Sequence, residues 1–332
     1  MRIPIEQLHK ELTRVLIKYE FTPNRAELCA RLFAEASRDG VHSHGLNRFP
    51  RFIEWIQKGL IKVNATPSEI EKAGVLEKWD GNLGPGNLNA FFCMERAIAV
   101  AKENGMGCIA LRNTNHWMRG GSYGWQAAES GCIGICWTNT IPNLPPWGAK
   151  ESKLGNNPLI MAVSRPEGHI VLDMAMSQFS YGKLQSYRVQ GEQLPVDGGF
   201  DSTGKLTRNP EAIEKSGRPL PIGYWKGSGL ALILDLTATI LSGGWSTRRL
   251  GQLEDEYGVS QVFIAIDPGK ISEQSFMQQA VEEIIQDFHA AAPETEKGKV
   301  FYPGEKTLAI RVDSLQNGVT VDASIWGKVL TM

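Results

Sequence analysis

Gly81-Asn82-Leu83-Gly84-Pro85-Gly86-Asn87 is the stretch that decides between two kinds of α/β fold. A glycine-rich loop opening a helix is the usual way an α/β protein cradles a dinucleotide. A helix does follow, with Phe91, Met94, Ala97, Ile98 and Ala101 at helical spacing up to Gly105. The glycines, however, are not in the order G-x-G-x-x-G, and no clear apolar strand leads into them. A Rossmann domain is therefore not supported.

Downstream, Cys108–Leu111 reads as a buried strand, 121–130 as a helix stopped by Gly131, and Ile133–Trp137 as a second strand. Further strands are predicted at Leu159–Val163, Ile170–Met174 and Val262–Ile266, and helices at 228–242 and 273–290. The end of the chain, Val319 to Leu330, reads as a strand followed by a short helix. Between about Gln185 and Gly223 lies a long irregular stretch, and so much loop in an enzyme-sized chain is usually functional.

Upstream, Ile5, Leu8, Leu12, Val15 and Leu16 define one amphipathic helix. Thr22-Pro23 starts a second, with Ala26, Cys29, Leu32 and Phe33 on its apolar side. A third is predicted from Ser43 as N-cap through Phe49, Phe52, Ile53 and Ile56 to Gly59, with Pro50 tolerable only in its first turns or at a bend. Strands and helices thus interleave irregularly behind a helical start, which predicts an α/β fold with an N-terminal helical lobe.

With 332 residues, two lobes are expected. A formal net charge of -1 gives no electrostatic case for nucleic acid or an anionic membrane. No uninterrupted apolar run is long enough to span a bilayer, and the first residues do not read as a signal peptide. The five cysteines, Cys29, Cys93, Cys108, Cys132 and Cys136, are odd in number and scattered, which suits reduced, buried thiols.

The chemistry concentrates in Ser43-His44-Gly45-Leu46-Asn47-Arg48. Were a helix to start here, His44 and Arg48 would share one face. An imidazole that exchanges a proton near neutral pH, beside a guanidinium that grips a carboxylate bidentately, suits a 2-oxo or 2-hydroxy acid. On its own the hexapeptide favours the plainer reading, a capped helix start. Asn115-His116-Trp117 follows a strand end, where α/β proteins place ligands; His116 either contacts a ligand or is satisfied by backbone, with Trp117 as core. Thr138-Asn139-Thr140 and Gly155-Asn156-Asn157-Pro158 either present amides to an anion or are ordinary turns. Asp173 either accepts from ribose hydroxyls or caps the next segment. Trp225-Lys226-Gly227-Ser228 offers a cation and helix-start amides without Walker spacing. Tyr302-Pro303-Gly304-Glu305-Lys306 by itself is a tight turn. His42 and His44 lack the companions of a zinc motif, so no metal is expected, and no G-x-S-x-G elbow is present.

Taken in order, Ser43-His44-Gly45 with Arg48, Asn115-His116, Gly155–Pro158, Asp173 with Ser177, Leu194-Pro195, Lys226–Gly229 and Tyr302–Glu305 resemble the malate/L-lactate dehydrogenase family that is unrelated to the Rossmann-type lactate dehydrogenases. The resemblance covers essentially the whole chain. The runs His116–Gln126, Pro145–Lys150 and Gly223–Gly229 are similar to a branch that reduces a diketo sugar acid. Many relatives carry Phe-Gly where this chain has Trp117-Met118, a departure that argues against plain malate or lactate.

The resemblance implies a non-Rossmann, mixed-sheet NAD-binding core, NADH as cofactor with NADPH as the open alternative, a cytoplasmic homodimer with its site near the subunit interface, and a small sugar-acid substrate. It carries the proton donor to His44. It carries cofactor contacts to His169, Ile170, Val171, Leu172, Asp173, Met174 and Ala175, to Trp225 and Lys226, and to Gly304, Glu305 and Lys306. Substrate binding by Arg48 and His116 follows from their chemistry, and Asp197 is a further candidate partner for a histidine. The expected division is a substrate lobe over 1–115, joined by 300–332, and a cofactor core over 116–299. The alternatives are a related reductase of malate, lactate, ureidoglycolate or a cyclic imine, and a sugar-acid-binding protein without catalysis.

Overall fold

In the computed structural model, which describes residues 1–295 and 298–332, the first amphipathic repeats become α1 (Ile5–Lys18) and α2 (Pro23–Arg38), behind a short strand β1 (Arg2–Ile3). Leu8, Leu12, Val15 and Leu16 of α1 and Ala26, Cys29, Leu32 and Phe33 of α2 are buried, as their spacing predicts. Pro23 occupies the first turn, where its missing N–H would have had no partner.

The third helix departs from expectation. His42–His44 and Leu46–Arg48 are two separate 3-10 turns divided at Gly45, and α3 (Phe49–Gln57) begins only afterwards, with Pro50 in its first turn. The cause is close packing against α2. A Cβ on residue 45 would lie 2.2 Å from Ser37 Oγ, the atom that accepts the Leu46 N–H at 2.8 Å. His44 and Arg48 therefore do not share a helical face; two successive tight turns present them.

The chain continues through β2 (Ser68–Ala73), β3 (Leu76–Asp80), α4 (Gly86–Asn104), β4 (Met106–Thr114), α5 (Gly121–Glu129), β5 (Ile133–Thr138), β6 (Leu159–Val163) and β7 (Ile170–Met174). Then come α6 (Tyr181–Gln190), β8 (Gly199–Phe200), β9 (Leu206–Thr207), α7 (Pro210–Ser216), α8 (Trp225–Ser242), α9 (Thr247–Leu250), β10 (Val259–Ile266), α10 (Gln274–Ala290), α11 (Glu305–Asn317), β11 (Val319–Thr320) and α12 (Ala323–Thr331). The stretch from 185 to 223, expected to be irregular, is thus partly built: a helix end, a small hairpin and α7.

A seven-stranded sheet runs β2-β3-β4-β10-β5-β6-β7. β3 and β4 are parallel, joined through α4, and every other neighbouring pair is antiparallel. This explains the failed fingerprint, since a doubly wound sheet needs parallel neighbours. A strand does precede the Gly81 loop after all. Its polar sequence, Leu76-Glu77-Lys78-Trp79-Asp80, hides it, because fully buried Glu77 is neutralised by Arg96 through two hydrogen bonds of 2.7 and 2.9 Å.

α4 and α5 cover one face, over Cys93, Met94, Tyr123, Cys136 and Phe263; α8 covers the other, over Trp137, Leu234 and Val262. A third core joins α1, α2, α3 and α12, and β11 pairs with β1, so the end of the chain closes the helical lobe. The sheet takes strands from both sides of residue 115. All five cysteines are buried and unbridged; burial pushes the Cys29 thiol up to about 12.

Alternating strand direction has one consequence for function. The carboxyl ends of β3, β4, β5 and β7 and the starts of β6 and β10 all lie at the same end of the sheet.

Candidate active site

His116 leaves that end of the sheet just after β4. Its loop is clamped between the two lobes. Trp117 is buried in the sheet core and Met118 in the helical core. Trp117 and Met118, the pair that departs from the family pattern, are thus packing residues of the two cores. Beneath the loop, α4 starts with Gly86, where a Cβ would stand 2.1 Å from Asn115 O. The Gly81–Asn87 loop is thus a seat for the 115–116 backbone. Asn115 joins the scaffold, donating to the carbonyls of Leu60, Leu83 and Gly84.

Clamped in this way, His116 stacks on His44, with ring centroids 5.7 Å apart and planes 12° from parallel. The Met118 N–H donates to His116 Nδ1 at 3.0 Å, which leaves Nε2 as the N–H of neutral His116. His44 Nδ1 meets Ser43 Oγ at 3.0 Å. Arg48 lies over the Trp55 ring at 5.3 Å, and Trp55 is 6.3 Å from His116. The two histidines and Arg48 are therefore brought together.

The electrostatics are one-sided. Burial lowers the His44 imidazole to about 4, and the charges of Arg48 and Arg119 add to the effect. Burial also drives His116 well below the usual range, helped by Arg48, His44 and Arg51. Arg48 Nε is buried with no hydrogen-bond partner among the described residues. An orphaned guanidinium N–H beside two neutral imidazoles is a receptor for an anion.

Three features were missed in the sequence. Arg119, whose charge reaches His44, is anchored by buried Asp39, which also binds Arg38 and Arg311. Arg51 shares the Trp55 ring with Arg48. Glu256 enters from far along the chain and accepts the Ile141 N–H at 3.0 Å. Arg51, three residues after Arg48, and Arg119, three after His116, carried a local signal; Glu256 did not. Asp197, by contrast, pairs with Arg208 at 3.6 Å; the polar contacts of the site histidines are to Ser43 and Met118. Asn139, Asn156 and Asn157 spend their side chains on the protein itself: Asn157 Nδ2 donates to Ala231 O of α8 at 2.8 Å, Asn139 Nδ2 to Asp235 of the same helix at 2.8 Å, and Asn156 Oδ1 accepts from Asn143 Nδ2 at 3.0 Å.

The remaining sequence-derived residues converge on edge strand β7. The Tyr302–Lys306 turn docks on it through Val171 N–H to Pro303 O at 2.8 Å, and Gly304, at φ 97°, lies against the backbone of His169 and Val171. Glu305 accepts the Tyr302 N–H and pairs with His289, while Lys306 is exposed. Asp173 accepts the Gly121 N–H at 2.8 Å and so caps α5 from across the sheet. Beyond Met174 and Ala175, Ile222 N–H donates to Met176 O and Ser177 bridges Pro221, which sets the start of α8, with exposed Trp225 and Lys226, at the carboxyl end of the strand. Buried Ser177 Oγ has no partner among the described residues.

Fold and site together define an α/β protein outside the Rossmann class, with two histidines and an arginine gathered at one end of a mixed sheet. The chain belongs to the malate/L-lactate dehydrogenase family, whose profile matches residues 3–330. It is 48% identical over 331 residues to the 2,3-diketo-L-gulonate reductases of Citrobacter koseri and of Escherichia coli K12, covering 99% of this chain and 99% of each relative. Among solved structures, malate dehydrogenase from Entamoeba histolytica superposes with a TM-score of 0.94 at 23% identity, covering 100% of this chain and 96% of that one; this likeness speaks for the fold alone. Sulfolactate dehydrogenase from Methanocaldococcus jannaschii gives 0.88 at 28% identity over 99% and 95% of the two chains. The chain is an oxidoreductase acting on a CH–OH/C=O group, a reaction that calls for a nicotinamide cofactor. The residues around the carboxyl end of β7 are compatible with one: Ser177 Oγ is buried without a partner among the described residues, and α8 opens there beside exposed Lys226. No helix among the described residues is long and apolar enough to cross a membrane.

Proposed function

We propose that this protein reduces a 2-oxo sugar acid, 2,3-diketo-L-gulonate being the substrate favoured by its 48% identity to reductases of that name. The observation that carries the chemistry is the stacked His44–His116 pair beside the unpartnered Arg48 Nε. Bound NADH would supply the hydride. His169–Ala175, Trp225, Lys226 and Gly304–Lys306 would hold it along β7, and Ser177 would add a hydroxyl. The helical lobe, closed by the chain's end, would carry His44 and Arg48 to the substrate side.

Arg48 grips the substrate carboxylate and so fixes which carbonyl meets the cofactor. His116 Nε2–H points a neutral donor at the carbonyl oxygen as charge develops on it. His44 gives the proton that turns the alkoxide into the hydroxyl, and takes it back in the reverse reaction. Arg48→Lys keeps the charge but loses the planar fork. We expect KM for the 2-oxo acid to rise about tenfold in steady-state assays, with NADH affinity unchanged; an unchanged KM would contradict the clamp.

The low pKa of His44 has a kinetic signature. In the free protein the imidazole is held at about 4 by burial, Arg48 and Arg119. A carboxylate on Arg48 cancels part of that repulsion, so His44 takes up its proton as substrate binds. Reduction needs the protonated form, so rates fall as pH rises. The fall in kcat/KM, which reports free enzyme, should begin at a lower pH than the fall in kcat, which reports the complex. Coincident midpoints would sink the idea.

Reduced, buried thiols agree with a cytoplasmic setting. The α8 face of Leu232, Ile233, Leu236 and Ile240 is apolar and exposed, which supports a homodimer.

A further inference from the structure

Glu256 stands three residues before β10, at the end of the sheet where the site lies. Two contacts fix it there. Asp255 pairs with Lys58 just past α3 at 2.6 Å, and Glu256 Oε2 accepts the Ile141 N–H after β5. This brings its carboxylate within electrostatic range of Arg48 and Arg51, the two guanidiniums stacked over Trp55. Yet neither Arg48 nor Glu256 closes an ion pair among the described residues. Arg48 rests on an indole and Glu256 on a backbone amide, near enough for their charges to influence each other yet not closed into an ion pair. A molecule with a carboxylate at one end and a hydrogen-bond donor further along bridges them. A second carboxylate in that position meets repulsion.

We propose that Glu256 is a specificity-determining residue: it accepts a hydroxyl hydrogen from the polyol tail of the substrate and rejects dicarboxylates of similar length. This rests on reading the site as a 2-oxo acid reductase. No bond forms or breaks at Glu256; its effect is on which acid the Arg48 end retains.

The test is binding to the NADH-loaded protein, followed by NADH fluorescence, with three six-carbon acids: L-gulonate, hexanoate and adipate. Wild type should prefer L-gulonate to hexanoate, and hexanoate to adipate. Glu256→Gln keeps an acceptor for the Ile141 N–H but removes the charge. It should weaken L-gulonate and strengthen adipate, each by about tenfold. Glu256→Asp keeps the charge and should still reject adipate. The assignment is overturned if Glu256→Gln leaves the three affinities in their wild-type ratios, or if Glu256→Asp and Glu256→Gln accept adipate equally. Turnover of 2,3-diketo-L-gulonate is measured in parallel. The binding preference without turnover upholds Glu256 and overturns the reading of the reaction; turnover without the preference does the reverse.

Discussion

His44→Ala should lower kcat for carbonyl reduction by roughly 10²–10⁴-fold, the usual worth of a positioned general acid, while NADH still binds. The separation is expected because His44 sits on the helical-lobe side, in contact with His116 and Ser43, and the sequence-derived cofactor residues gather on β7. The loss should fall on kcat and kcat/KM alike, the mark of an interaction made in the transition state. His44→Gln, which keeps a polar side chain but no titratable group, should be as inactive. A variant retaining near-normal turnover would remove His44 from the proton-transfer step and leave His116 as the alternative.

The second large effect is on stability. Asp39 is 2% exposed and binds Arg38, Arg119 and Arg311 over 2.6–2.9 Å, joining the end of α2 to the His116 loop and to α11. Asp39→Ala leaves Arg119 buried without its partner, and removing one member of a buried ion network costs about 3–5 kcal/mol. Urea unfolding should show that loss near neutral pH. Burial opposes the charged carboxylate, but the Arg311 hydrogen bond and the Arg119 and Arg38 charges outweigh it and hold Asp39 well below the usual carboxylate range. A depressed folded pKa means the contribution is fully present above the unfolded value, about 3.9, and is lost as pH falls through the folded one. The gap between wild type and Asp39→Ala should therefore be constant from neutral pH to about 5 and close only in stronger acid. A gap that is small at neutral pH would mean the network is dispensable.

What the sequence disclosed followed from how local the physics is. The spacing of Leu8, Leu12, Val15 and Leu16 states a buried face outright, and Gly105 and Gly131 stop α4 and α5 where expected. β3 was hidden because Glu77 is buried through Arg96, an ion pair that no periodicity of apolar residues reports. The break at Gly45 was hidden because it answers to Ser37 on a neighbouring helix. For the site, the order of motifs singled out His44, Arg48 and His116, which converge. Asp197 pairs elsewhere, and Glu256 had no local mark, since its place depends on Lys58 and Ile141. Arg119 stands beside His116 in sequence, but Asp39, which anchors it, meets it only through tertiary contact.

The proposed role of this site is to hand a proton to the reduced carbonyl of a sugar acid. The most direct measurement follows NADH consumption by the purified protein with 2,3-diketo-L-gulonate beside pyruvate and oxaloacetate. The highest kcat/KM is expected for 2,3-diketo-L-gulonate, together with its loss in His44→Ala. Faster reduction of pyruvate or oxaloacetate, or turnover indifferent to His44, would contradict it.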